Sequence, residues 1–86
     1  MTTIGEMIQG TMFEVAREVG AALDLAGGDD TVLLQSGLDS LGFAMVIALL
    51  EERLGYDPFQ MMVEPMYPRT LGDLISIYER FQDSGT

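Results

Sequence analysis

The sequence predicts an all-α fold: a small four-helix bundle with three main helices, a short third helix, and a long loop between helices one and two. Apolar residues recur at the spacing of an α-helix in three segments, each of which begins near a residue type favoured as a helix N-cap. No pattern typical of a β-strand extends beyond residues 31–34. With 86 residues, 48% of them hydrophobic, the chain is predicted to form one domain over residues 1–86 around a single modest core.

Helix one is predicted at about residues 3–19. Thr3 and Glu6 have the spacing of a capping box, in which two side chains bond to each other's backbone N–H groups. Gly20 can end the helix, because glycine readily adopts the left-handed conformation found after helix C-termini. A connection of unusual length for a compact domain follows, and such loops are often functional. Its residues 32–34 are expected to hold it against the core.

Helix two is predicted at about residues 40–54, with Gly55 at its end. On a helical wheel at about 100° per residue, five large apolar side chains share one sector with the width of a normal core-facing stripe. This predicted core face consists of Phe43, Val46, Ile47, Leu50 and Leu54.

The opposite side of helix two is less polar than the exposed side of a surface helix. It consists of Leu41, Met45, Ala48 and Glu52, with Ala44 and Glu51 beside them. The helix could be buried on both sides, or the apolar residues could be singly exposed, which is normal in proteins. We favour a third interpretation, in which this stripe binds a partner protein.

The third helix is predicted at about residues 60–64 and the fourth at about residues 70–82. Pro58 disfavours helical conformation at the residue before it, so the short third helix should begin after this proline and end before Pro65. Thr70 provides an N-cap for the fourth helix. The last four residues of the chain should fray.

The net charge of −10, from 14 acidic and four basic residues, restricts the partners of the chain. All four basic residues are arginines, and they form no stripe that could neutralise a nucleic acid or meet an anionic membrane. We expect neither as a partner, and instead expect proteins with basic surface patches. The N-terminus has no signal-peptide pattern, and the longest apolar run, Leu41–Leu50, is about half of a membrane span. The chain is therefore expected to be a soluble, cytoplasmic monomer.

Missing residue types limit the chemistry of the chain. It contains no histidine, cysteine or lysine, so a zinc or copper site is not expected, and Ser-His pairs, Ser-Lys pairs and thiol nucleophiles are excluded. Catalysis would depend on carboxylates alone, and the acidic residues are scattered over positions predicted to be exposed. We therefore expect no catalytic residues and no metal ligands.

The segment Gly37–Leu41, of sequence GLDSL, lies at the start of helix two. A serine here has an exposed hydroxyl beside the positive end of the helix dipole, which favours a phosphate group. Alternatively, Asp39 and Ser40 only cap the helix, since both are favoured N-cap residues. One N-cap side chain is enough, and Phe43 occupies the position that would complete a capping box with Ser40. A chemical role for Ser40 requires an activating group from another protein.

The GLDSL segment resembles the phosphopantetheine attachment motif of acyl and peptidyl carrier proteins. The resemblance extends over nearly the whole chain, including the sequences LGYDPF at residues 54–59 and YPRTLGDL at residues 67–74. It implies a four-helix bundle of the carrier-protein type. By this resemblance Ser40 is the site of covalent attachment for 4'-phosphopantetheine, and Asp39 is the acid that precedes it.

The same resemblance implies a carrier protein without enzymatic activity of its own. The thiol of the arm would carry an acyl or aminoacyl cargo as a thioester between partner enzymes. These partners would be a phosphopantetheinyl transferase, a loading ligase or acyltransferase, and a downstream synthase or tailoring enzyme. The docking residues predicted for them are Leu38, Leu41, Met45, Ala48, Glu51 and Glu52.

Two positions depart from the pattern of fatty-acid carrier proteins. Met45 stands where those carriers typically have an acidic residue for docking, and Gly42 stands where they often have aspartate. The departures favour a specialised pathway, of the secondary-metabolite, polyketide or nonribosomal-peptide type, over a housekeeping role in fatty-acid synthesis. A further alternative is a non-covalent helical adaptor that keeps a carrier-like fold and binds a partner helix through its Leu/Met stripe.

Overall fold

Four α-helices form the part of the chain that the computed structural model describes, residues 2–64 and 66–82. They are α1 (Ile4–Val19), α2 (Ser40–Leu54), α3 (Pro58–Met61) and α4 (Leu71–Arg80). The connection between α1 and α2 contains two short 3-10 turns, Gly28–Asp30 and Leu33–Gln35. No β-strand occurs within the described ranges, and the prediction of an all-α bundle is confirmed.

Helix α1 lies at the centre of the bundle. The Thr3 hydroxyl accepts a hydrogen bond from the Glu6 N–H at 3.1 Å, and the Glu6 carboxylate accepts one from the Thr3 N–H at 3.3 Å, so the predicted capping box is present. Gly20 ends the helix in the left-handed conformation, with a φ of 72°. The helix packs against both α2 and α4, and its buried face therefore supplies the middle of the core.

The hydrophobic core lies between α1, α2 and α4. Its buried members are Ile8, Met12, Val15, Ala16, Leu33, Leu38, Val46, Leu50, Tyr56, Leu71, Leu74 and Tyr78. Burial of apolar surface stabilises a fold by about 25 cal/mol per Å², and it is the main stabilising contribution in a chain without disulfides. The expectation that all of residues 32–34 hold the loop against the core is wrong for Leu34, which is 67% exposed. Consecutive residues of a 3-10 turn point in different directions, so Leu33 faces inward and Leu34 faces outward.

The buried face of α2 differs from the predicted one. Its fully buried residues are Gly42, Val46 and Leu50, and its half-buried residues include Phe43, Ile47 and Leu54. The buried face is turned towards Gly42, where an added Cβ would lie only 3.1 Å from Cδ2 of Leu38. A helical wheel counts apolar side chains, so it gives no weight to a glycine that allows such close packing.

Helix α3 spans Pro58–Met61. It therefore begins and ends earlier than the predicted helix at residues 60–64. Asp57 is its N-cap, and the carboxylate accepts a hydrogen bond from the Phe59 N–H at 2.9 Å. Pro58 occupies the first helical position, where its fixed φ is suitable and its missing N–H is not needed. The prediction treated Pro58 as a helix breaker, whereas a proline directly after an N-cap residue begins a helix.

The long connection between α1 and α2 is attached to the start of α4. An isolated antiparallel bridge pairs Val32 with Thr70, and the Leu33 N–H donates a hydrogen bond to the Arg69 carbonyl at 2.9 Å. The two segments therefore lie side by side, although they are far apart in sequence. This attachment fixes the connection in place next to α2.

Helix α4 begins at a capping box formed by Thr70 and Asp73, as the N-cap prediction requires. It ends at Arg80, before the predicted end at about residue 82, because residues 81–82 form a tight turn in which the Gln82 N–H donates to the Glu79 carbonyl at 3.3 Å. The fraying predicted for residues 83–86 lies outside the described residues. In the described part of the chain, no helix combines the length and the apolar character needed to cross a bilayer.

Candidate functional site

Ser40 is the first residue of α2, and Asp39 before it is the N-cap. Oδ1 of Asp39 accepts a hydrogen bond from the Gly42 N–H at 2.9 Å, which satisfies one of the N–H groups that a helix N-terminus leaves without an intrahelical partner. The Ser40 side chain is exposed and takes no part in this cap. Asp39 therefore caps the helix, and Ser40 is not needed as a cap. The exposed serine remains available for a chemical role.

Gly37 sets the direction in which the chain enters α2. Its φ of 117° lies in a region that favours glycine, and a Cβ at this position would overlap the carbonyl oxygen of Ala22. Leu38 follows and is 2% exposed. Because Leu38 holds the junction to the core, the next two residues, Asp39 and Ser40, remain at the surface.

Most of the predicted docking residues lie on the exposed side of α2. Leu41 is 70% exposed. The other exposed members of this set are Ala48, Glu51 and Glu52, with Ala44 beside them. These five residues form one continuous strip that begins next to Ser40, and we call it the α2 strip.

Two predicted docking residues differ from this pattern. Met45 is half-buried and packs against the core, so it lies at the edge of the α2 strip. The prediction of Leu38 as a docking residue is wrong, because its buried side chain cannot contact a partner at the surface. Its side chain packs into the space that the missing Cβ of Gly42 leaves free.

An apolar groove of about 730 Å³ begins beside Ser40 and follows α2. One wall is formed by residues of α2, namely Phe43, Ala44, Ile47, Ala48 and Glu51. The rest of the lining comes from the connection between α1 and α2, from α3 with its N-cap, from the segment between α3 and α4, and from α4. These residues are Leu33, Leu34, Asp57, Phe59, Tyr67, Pro68 and Leu74. The groove explains why Phe43 and Ile47 are only half-buried, since both side chains line it.

Sequence reasoning did not identify Tyr67 and Leu34 as functional residues, although both line the groove. Tyr67 is 88% exposed and lies between α3 and α4. Helical periodicity does not evaluate such residues, because they belong to no helix. The available signal was the occurrence of large apolar side chains within connecting segments, where polar residues are more usual.

The charged residues of the groove lining are both acidic: Glu51 on α2 and Asp57 at the N-cap of α3. Tyr78 lies next to this end of the groove, with its ring centre 6.2 Å from that of Phe59. Burial raises the pKa of the Tyr78 hydroxyl, and the negative charge of Asp57 raises it further, with smaller contributions from Tyr56 and Glu51. Among residues 2–64 and 66–82, this buried hydroxyl has no hydrogen-bond partner.

Comparison with protein families gives a match over more than half of the chain. The model of the phosphopantetheine attachment site family matches residues 14–66, a range that includes the GLDSL segment, α2 and α3. No curated protein and no solved structure matches the chain.

Proposed function

Because the chain belongs to the phosphopantetheine attachment site family, we propose that Ser40 is the residue that carries the prosthetic arm. Membership of this family makes the chain a carrier protein with covalently attached 4'-phosphopantetheine. The observation that supports Ser40 is its exposed hydroxyl at the first position of α2, where Asp39 already provides the cap. The serine is therefore available for a covalent bond without loss of the helix N-terminus.

The surroundings of Ser40 fit a phosphodiester with a long flexible arm. The N–H groups of the first helical turn and the positive end of the helix dipole favour an anion at this position. The groove that begins beside Ser40 offers an apolar surface along which an arm can lie. The residues that would hold the phosphate are Ser40 through its oxygen and Leu41 through its backbone N–H.

The attachment reaction needs a second protein. The Ser40 oxygen forms a bond to the phosphorus of coenzyme A, the phosphoanhydride bond breaks, and the nucleotide leaves as its bisphosphate. The chain contains no histidine, lysine or cysteine, so a phosphopantetheinyl transferase supplies the base that accepts the serine proton and the metal ion that assists the transfer. Once bound, the group supplies a thiol that carries cargo as a thioester.

The α2 strip is the proposed docking surface for the transferase, for a loading ligase or acyltransferase, and for a downstream synthase or tailoring enzyme. Leu41 and the two alanines provide an apolar centre, and Glu51 and Glu52 provide charge at one end. A partner with an apolar patch and neighbouring basic residues is complementary to this surface. The apolar start of the strip supports a specialised biosynthetic pathway over housekeeping fatty-acid synthesis.

A mass measurement tests the assignment of Ser40. Incubation with coenzyme A and a broad-specificity phosphopantetheinyl transferase should add the mass of one phosphopantetheine to the wild-type protein and nothing to Ser40→Ala. Ser76→Ala is the matched control, because Ser76 is an exposed serine within α4 and away from the groove lining, and it should be modified like the wild type. An unmodified wild type, or a modified Ser40→Ala variant, would refute the assignment.

A further inference from the structure

Gly42 lies in the first turn of α2, two residues after Ser40, and it is buried. Glycine lowers the stability of a helix relative to alanine, because it loses more backbone freedom on folding. The surroundings show what a side chain at this position would meet. An added Cβ would lie 3.1 Å from Cδ2 of Leu38, which is closer than the optimal separation of two carbon atoms.

Gly42 contacts both of the residues that precede Ser40. The added Cβ would also lie 3.4 Å from Cβ of Leu38 and 3.5 Å from Oδ1 of Asp39. That oxygen accepts the hydrogen bond of the α2 cap from the Gly42 N–H at 2.9 Å. Leu38 therefore depends on the missing side chain of Gly42, and Asp39 depends on its backbone. Ser40 follows directly after both residues, so a displacement of either one moves the backbone that bears the serine hydroxyl.

Neither end of this short segment has room to yield. Leu38 is 2% exposed and belongs to the hydrophobic core, and in a close-packed interior a side chain cannot move without displacing its neighbours. Gly37, at the other end, packs directly against the carbonyl oxygen of Ala22. The strain caused by a side chain at position 42 would therefore fall on the backbone of residues 38–40.

We infer, on the premise of the proposed function, that Gly42 is a positioning residue for attachment of the arm. Its missing Cβ allows Leu38 to enter the core while Asp39 caps the helix, and together these two residues fix the direction of the Ser40 oxygen. Phosphoryl transfer depends on the position of the attacking oxygen relative to the phosphorus and the leaving group. A misplacement of about 1 Å can lower the rate about 100-fold. Gly42 acts only through its neighbours, because it is itself buried.

Single-turnover kinetics of Gly42→Ala test this inference, with transferase and coenzyme A in excess. The rate constant at saturating transferase should fall about 3- to 10-fold, because the serine oxygen is misplaced by less than about 1 Å. The transferase concentration that gives half of the maximal rate should stay within about twofold of the wild-type value, since the residues of the α2 strip are unchanged.

Gly10→Ala is the matched control for this substitution. Gly10 lies inside α1 and is exposed, and a Cβ added to it would meet nothing within 4 Å. The control therefore makes the same chemical change within a helix but has no neighbour to displace. It should retain both the wild-type rate constant and the wild-type half-saturating concentration.

A second substitution at Leu38 should restore the rate. Leu38→Met keeps a flexible apolar side chain of similar volume and removes the branch at Cγ, so one of the two δ atoms is absent. Combined with Gly42→Ala, it should return the rate constant to within about twofold of that of Leu38→Met alone, which is the coupling that a double-mutant cycle measures. A loss of rate through general destabilisation would not be restored by a further substitution in the core.

Hydrogen exchange provides a readout that does not involve the transferase. The amide hydrogen of residue 42 is bonded to Asp39, and this bond slows its exchange with solvent. Its protection factor should be lower in Gly42→Ala than in the wild type, and it should recover when Leu38→Met is added. An unchanged protection factor in Gly42→Ala would show that the cap is not disturbed and would contradict the inference.

The outcomes separate this inference from the proposed function. Failure to modify the wild-type protein would refute the assignment of Ser40 itself. Modification of the wild type and of Gly42→Ala at equal rates would overturn only the inference about Gly42. A loss of rate in Gly10→Ala as large as in Gly42→Ala, or no recovery on addition of Leu38→Met, would also overturn it. If Gly42→Ala does not fold, the double variant decides: a folded, modified double variant supports the inference, and an unfolded one overturns it.

Discussion

At the scale of single residues, the junction at Ser40 depends on four consecutive residues with different tasks. Gly37 adopts a backbone conformation with positive φ, and Leu38 enters the core. Asp39 caps α2, which leaves the Ser40 hydroxyl accessible. Each task needs its own residue type, so the short motif is explained by local structure as well as by chemistry.

Tyr56→Phe should lower stability, whereas Tyr78→Phe should not. The Tyr56 hydroxyl donates a hydrogen bond to the Tyr78 carbonyl at 2.8 Å, and its removal should lower the free energy of unfolding by about 1 kcal/mol. The Tyr78 hydroxyl is buried without a partner among residues 2–64 and 66–82, so its removal should leave the free energy of unfolding unchanged or raise it. Urea denaturation of the unloaded protein measures both changes.

The two tyrosines act as controls for each other, because both substitutions remove one buried hydroxyl from packed aromatic rings 5.9 Å apart. A loss of about 1 kcal/mol or more in Tyr78→Phe would contradict the expectation. It would indicate that a buried water or another group already satisfies this hydroxyl in the unloaded protein.

At the scale of elements, α2 presents three different surfaces. Its buried face contains Gly42, Val46 and Leu50. Its groove face contains Phe43 and Ile47. Its exposed face is the α2 strip, of which Ala44, Ala48 and Glu51 also line the groove. The helix is apolar on most sides because apolar residues are needed for core packing, for the groove and for the start of the α2 strip. A single core-facing stripe does not explain this distribution.

Leu41→Glu and Met45→Glu should separate the exposed strip from the core edge. Leu41 is 70% exposed, so its substitution should change the free energy of unfolding by no more than about 0.5 kcal/mol. Met45 is half-buried and packs against the core, and a carboxylate at this position should cost about 1–3 kcal/mol. Thermal unfolding measures both effects.

Met45→Leu is the matched control for the second substitution, because it keeps an apolar side chain of similar volume and should cost less than about 1.5 kcal/mol. Leu41→Glu should also slow modification of Ser40 by the transferase, since it places charge in the apolar centre of the α2 strip. Equal stability of Leu41→Glu and Met45→Glu would mean that Met45 is part of the exposed surface after all.

The elements differ in how well the sequence predicts them. Both ends of α1 follow from local signals, namely the capping box at Thr3 and the glycine at position 20. The bounds of α3 do not follow as easily, because Pro58 can either break a helix or begin one. The extended conformation of Asp57, the residue before the proline, decides that Pro58 begins a helix. That conformation in turn depends on the cap that the Asp57 side chain forms.

At the scale of the whole molecule, the groove is assembled from segments that are distant in sequence. Leu33 and Leu34 come from the first connection, Phe59 from α3, and Tyr67 from the segment before α4. The backbone bridge between Val32 and Thr70 holds two of these segments together. A site of this kind exists only when α2, α3, α4 and both connecting segments are in place.

The net charge of −10 leads to a prediction about salt. The described molecule measures 33 × 25 × 21 Å, and at about 0.01 M salt the Debye length is about 30 Å, so charges across the molecule repel one another. Raising sodium chloride to about 0.1 M shortens this length to about 10 Å and should raise the melting temperature by about 2–5 °C at neutral pH.

Sucrose is a suitable control for the salt experiment, because it stabilises folded proteins by exclusion from their surface without screening charge. The salt effect should also diminish near the isoelectric point of about 4.1, where repulsion is small. A melting temperature that falls with added salt at neutral pH would show that attractive ion pairs outweigh the net repulsion.

The sequence by itself determined the helical fold, the N-caps of α1 and α4, and the position of Ser40 at the start of α2, because these features depend on residues within a few positions of one another. Only the tertiary structure decided that Leu38 is buried, that Met45 lies at the edge of the core, and that an apolar groove with two acidic residues follows α2. These features depend on which side chains meet across the bundle. Helical periodicity records the direction of a side chain around its own helix and contains no information about the segment that lies opposite.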